Sequence, residues 1–237
     1  MVTKNMKMNK WQFSALLIAT LMLITLVAVF LAALLWFGFK FAATRTAVPA
    51  NLTSGIGMEM VWLPAGYWAG KYEVTQQEYE KVIGNNPSNY KGPRKPVEMV
   101  SWNDAMEFCQ RLTENERAAG KLPKGYAYTL PTEKQWEYFV GDAQLSDAVT
   151  SEGGTRTSSA NVGSKGANQF GLHDVRGNVW EWCADWYSHN ERVLRGPSWF
   201  YDTPDSQAVS SRLGFTPVKR SGDAGFRCVL VSVGGGQ

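Results

Sequence analysis

The sequence predicts an α+β domain with two or three helices and many short strands, preceded by one long apolar helix. Three observations carry this prediction: an uncharged run over 13–39, helix-capping patterns at three places, and short aromatic or branched runs broken by Gly, Pro and Asp after residue 179. The chain has 237 residues and shows no internal repeat. The predicted divisions are an N-terminal tail over 1–12, a transmembrane helix over 13–39, a linker over 40–57 and a folded domain over 58–237.

The apolar run is long enough to cross a bilayer. At about 1.5 Å per residue it gives about 40 Å of helix, against a hydrocarbon core of about 30 Å. Three lysines precede it, whereas only Lys40 and Arg45 follow it closely. This bias favours a single-pass membrane protein with a cytoplasmic N-terminus and a periplasmic or extracellular domain. A cleaved signal peptide is the alternative, although its apolar region is normally only about 7–15 residues long.

The charge distribution excludes a nucleic-acid partner. All 21 acidic residues lie at Glu59 or later, and the chain after residue 45 carries 19 Lys and Arg residues. The domain therefore has a formal charge of −2 and no basic footprint.

Within the domain, the first elements are a strand over 60–63, a turn, and a returning strand over 67–70. Capping-box patterns then open three helices, with Thr75, Ser101 and Thr132 as the predicted N-caps. The second of these helices carries one apolar face, which consists of Ala105, Phe108, Cys109 and Leu112. Residues 142–168 are rich in Ser, Gly, Thr and Ala and are predicted to form a loop.

A series of ordered blocks runs through the domain. The blocks are Glu73-Val-Thr75, Asn86-Pro-Ser88, Pro96-Val97, Val100-Ser-Trp-Asn-Asp-Ala105, Leu130-Pro-Thr-Glu133, Trp136-Glu-Tyr138, Asn161-Val162, Gly171-Leu172, Gly177-Asn-Val-Trp-Glu-Trp182, Arg195-Gly196, Ser198-Trp199 and Gly225-Phe-Arg-Cys228. The series resembles the sulfatase-modifying-factor family, whose best-known members are formylglycine-generating enzymes. The resemblance implies an elaborated C-type-lectin-like fold. Members of this family include oxidases and ligand-displaying proteins without catalysis, so the function must be inferred from the residues of the site.

The family's oxidases hold Cu(I) with two cysteines, and this chain departs from that pattern. Tyr201 and Ser206 stand where the resemblance would place the two thiols, and no Cys occurs between Cys183 and Cys228. Hydroxyls and phenols do not replace soft thiolates as Cu(I) ligands. Pro197 also removes a backbone N–H from this segment. We therefore expect no copper and predict no catalytic or cofactor-binding residues.

The three cysteines have separate expected roles. By resemblance, Cys109 and Cys228 form a structural disulfide, which an oxidising compartment would allow. The alternative is a pair of buried thiols. Cys183 is expected to be a packed free thiol.

Calcium is the expected metal, because only His173 and His189 are available for a redox or zinc site. By resemblance, Asp174 and Glu181 would offer side-chain oxygens, and Gly177 and Val179 would offer backbone carbonyls. Asn161 and Val162 resemble the start of a second calcium site that lacks an obvious acidic partner. The alternative is that these segments form hydrogen-bonded turns.

These observations predict a membrane-anchored, non-catalytic domain that binds a partner as an accessory subunit of a membrane complex. The expected partners are other subunits, an exported protein or a ligand. An oxidoreductase that modifies an exported protein is the alternative. The groups to test for it are Tyr201, Asp202, Asp205 and Arg212. The tryptophans are expected to be core residues rather than an exposed platform; they are Trp180, Trp182, Trp186 and Trp199.

Overall fold

The computed structural model describes residues 10–43, 49–150, 157–200 and 208–234. The chain divides into two compact units, Met1–Pro49 and Ala50–Gln237.

The described residues of the first unit form one helix, α1 (Lys10–Ala43). Its described side chains are exposed, including Trp11 and Phe30. Within the described residues, no helix combines the length and the apolarity that a membrane crossing needs. The transmembrane helix expected over 13–39 is therefore not supported by the structure.

The described residues of the second unit form three α-helices, and the sequence predicted the start of each. They are α2 (Gln76–Ile83), α3 (Trp102–Ala118) and α4 (Glu133–Val140). Each begins with a complete capping box, in which the N-cap hydroxyl accepts the backbone N–H of the third helical residue, whose side chain in turn accepts the N-cap N–H. The caps are Thr75, Ser101 and Thr132, as predicted.

Nine described strands form two sheets. The first sheet has the order β1-β2-β3-β9-β4, and all its pairs are antiparallel. The second has the order β7-β6-β5-β8, in which only β5 and β8 are parallel. The strands are β1 (Leu52–Thr53), β2 (Glu59–Leu63), β3 (Tyr67–Gly70), β4 (Tyr126–Thr129), β5 (Trp180–Trp186), β6 (Arg192–Arg195), β7 (Arg212–Phe215), β8 (Ala224–Gly225) and β9 (Val229–Ser232).

The folded unit begins earlier than predicted. Strand β1 lies inside the segment expected to be a linker, and Leu52 pairs with Met60 across the edge of the first sheet. Two residues are too short a run to show a period-2 pattern, so this strand could not be predicted from local sequence. The expected loop over 142–168 also contains a short 3-10 turn, Leu145–Asp147.

Two hydrophobic clusters join these layers. The first packs α2 and α3 against both sheets, with Phe108 and Leu112 fully buried. The second packs α4 against β3, β6 and β9, with Trp136 and Phe139 at its centre. The sheets and helices thus enclose the block from 174 to 181, which carries the candidate site.

Candidate functional site

A group of buried charged residues lies where β5 meets the segment before it. We call it the carboxylate cluster and define it by Glu73, Asp174, Glu181 and Arg227, which are at most 3 % exposed. Arg227 donates from Nε and Nη2 to Glu181 Oε1, at 3.0 and 2.8 Å. Glu181 Oε2 accepts the indole N–H of Trp136 at 3.0 Å. Both oxygens of Glu181 are therefore engaged by the chain itself.

Arg227 is also held by backbone carbonyls. Its Nη1 donates to the carbonyl of Gly70 at 2.8 Å, and its Nη2 donates to that of His173 at 2.7 Å. These bonds tie β3, β5 and the segment before β9 into one unit. A buried ion pair needs such additional partners to offset the cost of removing both charges from water.

Glu73 is the second carboxylate of the cluster. Its Oε1 accepts the N–H of Val179 at 3.0 Å, and its Oε2 accepts the side-chain amide of Asn178 at 2.5 Å. Burial raises the pKa of Glu73 well above its usual value, and the nearby carboxylates Asp174 and Glu181 raise it further. Glu73 thus fixes the backbone of the 174–181 block from inside the core.

Asp174 is the member of the cluster whose hydrogen bonding is incomplete. Its Oδ2 accepts the N–H of Gly163 at 2.6 Å, whereas the buried Oδ1 has no hydrogen-bond partner. Burial raises the pKa of this carboxyl. The residue also adopts a positive φ of 57°, a conformation that few non-glycine residues adopt.

The donor set expected for calcium fits only in part. Asp174 Oδ1 is an available buried oxygen of the kind that calcium binds. Glu181 instead pairs with Arg227, so the structure does not present it as a free ligand beside the carbonyls of Gly177 and Val179. Across the described ranges, no three His, Cys, Asp or Glu side chains are arranged to hold a metal ion.

The second expected calcium site is no better formed. Asn161 is exposed, and Val162 is buried with its N–H donated to the carbonyl of Arg94 at 2.8 Å. Asp174 contacts the residue after this pair, because its Oδ2 accepts the N–H of Gly163 at 2.6 Å.

The three thiols are all buried. Cys109 and Cys228 lie with their sulfur atoms 3.5 Å apart as free cysteines, so the structure places the expected pair together without the disulfide. Burial raises the pKa of Cys228 well above its usual value, as does the hydrogen bond with Cys109. Burial likewise raises the pKa of Cys183, which is packed in the second hydrophobic cluster. Neutral thiols in apolar surroundings are poor nucleophiles and poor metal ligands.

The segment that aligns with the oxidase site begins at β6. Arg195 donates to Glu133 Oε1 at 3.0 Å, and Arg212 forms a bidentate pair with the same carboxylate at 2.8 and 2.9 Å. Ser198 donates to Asp223 Oδ2 at 3.0 Å. Four of the residues expected to mark this site lie outside the described residues; they are Tyr201, Asp202, Asp205 and Ser206.

The tryptophan run consists mainly of core residues. Trp180, Trp182 and Trp199 are at most 7 % exposed, whereas Trp186 is 53 % exposed. The guanidinium of Arg192 lies over the Trp186 ring, 3.4 Å from its centroid. These positions do not form a shared exposed platform among the described residues.

The two histidines have different surroundings. His173 stacks on Tyr72 with ring centroids 5.0 Å apart, as expected of a packing residue, and His189 is exposed.

Sequence reasoning did not single out Glu73 and Arg227 as members of a site. Both lie within blocks that carried the family resemblance, and both are charged residues inside apolar surroundings. A charged residue within an apolar segment could have indicated that Glu73 and Arg227 are paired, because a charge is almost never buried without a partner.

The comparisons with known proteins agree with this architecture. The family described as "Sulfatase-modifying factor enzyme 1-like domain" matches residues 40–231. This match covers most of the chain, and the chain therefore belongs to the sulfatase-modifying-factor family. The fold of the domain agrees with that of Treponema denticola variable protein 1, with a TM-score of 0.62 over 76 % of this chain and 93 % of that chain, at 24 % identity.

Three curated relatives differ in their described roles. The chain is 30 % identical to "Chaperone protein LppX" of Paenibacillus barcinonensis, over 56 % of this chain and 69 % of that protein. It is 36 % identical to "Inactive C-alpha-formylglycine-generating enzyme 2" of Bos taurus, over 56 % and 49 %. It is 34 % identical to "Formylglycine-generating enzyme" of Streptomyces coelicolor, over 57 % and 52 %. The chain thus spans about half the length of the last two relatives.

Proposed function

We propose that this chain is a non-catalytic member of the family that binds a partner as an accessory subunit. One observation carries the proposal: all three cysteines of the sequence are buried, at most 1 % exposed, within the hydrophobic core. A Cu(I) oxidase needs two thiolates at an accessible site. Here the thiols are protected by packing, and the raised pKa values of Cys183 and Cys228 favour their neutral forms.

The relatives support a binding role. One is described as inactive and another as a chaperone, and neither description requires oxidation of a substrate thiol. The network around Arg227 gives a rigid scaffold, on which loops can present contacts without any reacting group. An exported protein or a neighbouring subunit is the partner that this role implies.

The alternative function is oxidation of an exported protein. The similarity to the enzyme of Streptomyces coelicolor is the observation that favours it. The groups that it would use include Arg212, which the structure places in an ion pair with Glu133.

Mass spectrometry of a substrate peptide separates the two functions. The full chain would be incubated with Cu(I), oxygen and a sulfatase peptide that contains Cys, with the Streptomyces coelicolor enzyme as the positive control. We expect the peptide to keep its thiol. Conversion to formylglycine above the level without protein would overturn the proposal.

Extraction from the cell of origin tests whether the chain has a protein partner. Gentle detergent extraction followed by quantitative mass spectrometry is expected to recover one protein in stoichiometric amount with this chain. Recovery of the chain alone, after cross-linking as well as without it, would count against an accessory role.

Attachment to a membrane is a separate proposal. Its support is the uncharged sequence over 13–39 and the lysines that precede it. Alkaline carbonate extraction tests it: we expect the full chain to stay in the membrane pellet, whereas release into the supernatant would exclude an integral anchor. Protease protection would then test the expected orientation, with the domain on the periplasmic or extracellular side.

A structural calcium ion at Asp174 is likewise a proposal. Its support is the partnerless buried Oδ1 of this residue. Such an ion would be held by oxygens of the 174–181 block and would order the loop around them.

A further inference from the structure

An open cleft lies at one corner of the first sheet. Its volume is about 230 Å³, and it is bounded by β1, by β2, by the residue after β3 and by the turn at 170–171. Pockets for drug-sized ligands have about 300–1,000 Å³, so this cleft suits one smaller molecule. We call it the corner cleft, and the lining residues that give it its chemistry are Asn51, Leu52, Glu59, Val61, Lys71 and Phe170.

Two oppositely charged side chains lie next to each other in the corner cleft. Glu59 and Lys71 stand opposite each other because the Lys71 N–H donates to the Glu59 carbonyl at 2.8 Å. The Lys71 ammonium also donates to Glu59 Oε2 at 2.9 Å. The side chain of Glu59 is 49 % exposed and that of Lys71 is 30 % exposed, so a small solute can reach both charges.

The polar groups of the cleft keep hydrogen-bonding capacity for a ligand. Within the described part of the chain, Lys71 donates to one oxygen of Glu59, and Oε1 of the same carboxylate accepts no hydrogen bond. The ammonium of Lys71 has three N–H groups, of which Glu59 and Tyr72 take two, and these bonds raise its pKa. Asn51 Oδ1 accepts the N–H of Trp62 at 2.9 Å, which leaves the amide N–H groups of Asn51 for a ligand.

The remaining lining of the corner cleft is apolar. Val61 follows Glu59 by two residues on β2 and therefore lies on the same face of the sheet. The ring of Phe170 stacks on Tyr138 with centroids 5.4 Å apart, which fixes this wall of the cleft. Leu52 adds a further aliphatic side chain. A ligand with an aliphatic part can therefore remove that part from water here.

We propose that the corner cleft binds a free α-amino acid with an aliphatic side chain, in its zwitterionic form. The ammonium nitrogen and the carboxylate carbon of an amino acid are bonded to the same Cα and lie about 2.5 Å apart. This separation is close to the 2.9 Å between Lys71 Nζ and Glu59 Oε2, so the two pairs of charges can lie antiparallel. The ligand ammonium donates to Glu59 Oε1, and its carboxylate accepts from Lys71 and Asn51, in charge-assisted bonds.

Molecules with a single charge match the corner cleft less well. An anion is attracted by Lys71 but repelled by Glu59, and a cation meets the reverse. A neutral sugar gains hydrogen bonds but no charge pairing. The inference goes beyond the proposed accessory role, because it gives the domain a small-molecule ligand and does not depend on which protein is the partner.

Titration of the 15N-labelled full chain in detergent tests the proposal. The readout is the 15N–1H signal of Gly171, because this residue lines the cleft. The probes are L-leucine, L-leucinamide, which lacks the carboxylate, and 4-methylpentanoate, which lacks the ammonium; all are used at pH 6.5, where the amines are protonated. We expect a saturable shift with leucine and at least tenfold weaker binding of the other two. No saturable shift with leucine, or equal affinity for a single-charge probe or for glucose, would overturn the inference.

Substitutions of the ion pair show whether the cleft is responsible. Glu59→Gln and Lys71→Met each remove one charge from an exposed pair, so we expect both variants to fold. Glu107→Gln and Arg111→Met are the matched controls, because these residues form another exposed pair, on α3. We expect at least a tenfold loss of affinity for leucine in the first two variants and no change in the controls. Equal affinities in all four variants would contradict the proposal.

A third variant tests the apolar part of the cleft without changing its charges. Val61→Phe narrows the space, and we expect at least tenfold weaker binding of leucine. The control is Val218→Phe, at a residue that is 72 % exposed and lies outside the cleft. Unchanged affinity in Val61→Phe would overturn the inference. The partner extraction could still succeed then, so the accessory role and the proposed ligand fail separately.

Discussion

Glu181 of the carboxylate cluster and Glu98, which lies shortly before α3, are both buried acids, yet they differ in what surrounds them. Glu181 receives the guanidinium of Arg227 and the indole N–H of Trp136, so neither of its oxygens is left without a donor. Glu98 accepts the N–H of Tyr90 at Oε1, and its Oε2 has no hydrogen-bond partner.

The comparison separates a buried charge that the chain itself neutralises from a buried acceptor that the chain leaves without a donor. A buried charge that the chain neutralises itself fixes the fold, because each partner is costly to remove. A buried acceptor left without a partner is a cost that a ligand can relieve. Asp174 combines features of both cases. It belongs to the carboxylate cluster, but its Oδ1 has no hydrogen-bond partner.

Removing the counter-ion of the cluster should have the largest effect. Arg227→Met leaves Glu181 buried without its cation, and we expect a loss of about 3–5 kcal/mol in the free energy of unfolding. The control is Arg220→Met, which removes an exposed bidentate pair with Asp104 and should cost about 0–1 kcal/mol. Urea denaturation measures both. Equal losses in the two variants would contradict the distinction between buried and exposed pairs.

Calcium should stabilise the domain if the partnerless oxygen of Asp174 is a ligand of the ion. If the ion binds the native state alone, a concentration 100-fold above its dissociation constant stabilises the domain by about 2.7 kcal/mol. Thermal melts in CaCl2 and in EDTA measure this, and Asp174→Ala should abolish the difference. MgCl2 is the control, because Mg2+ demands a tighter octahedral site. An unchanged melting temperature in the wild type would exclude the ion.

The features of the fold that depend on residues close together in the sequence could be predicted, and those that depend on distant pairing could not. The helix starts at Thr75, Ser101 and Thr132 were predictable because a capping box lies within four consecutive residues. The strands predicted over 60–63 and 67–70 are joined by a short turn and were predictable for the same reason; the structure places them at Glu59–Leu63 and Tyr67–Gly70. Strand β1 was missed because its two residues gain their structure only by pairing with β2.

The candidate site was less predictable because its contacts are distant in sequence. Glu73 and Val179 are separated by 106 residues, and Trp136 and Glu181 by 45. The resemblance indicated which blocks matter, but it assigned Glu181 to calcium, and the structure pairs this residue with Arg227. No local pattern indicates which of several buried acids pairs with Arg227.

The dependence of the free energy of unfolding on pH should reveal the raised pKa of Glu73. Burial raises the folded-state pKa of Glu73 above its ordinary 4.5, with Asp174 and Glu181 raising it and Arg227 lowering it. The native state thus holds this proton to higher pH than the unfolded chain does, and stability falls as pH rises from about 4.5 toward the folded pKa.

Glu73→Gln should flatten that decline, by about 1.4 kcal/mol for each unit by which the pKa is raised. Urea unfolding at pH 5 and pH 7.5 provides the comparison with the wild type. Parallel pH dependences in the two proteins would show that Glu73 is not the responsible group.

The smallest expected effect concerns the buried carboxyl of Glu98. Glu98→Gln removes a buried charge with one partnerless oxygen, and we expect a gain of about 1 kcal/mol at pH 7. The gain should vanish at pH 3, where the wild-type carboxyl is protonated as well. A loss of stability at pH 7 would mean that Oε2 already has a partner in the native protein.

A Cu(I) titration against a chromogenic chelator tests most directly whether this scaffold has lost the metal chemistry of its catalytic relatives. We expect the reduced full chain to leave the chelator's Cu(I) complex intact at every protein concentration. Removal of one Cu(I) per chain, abolished by Cys183→Ser, would contradict it.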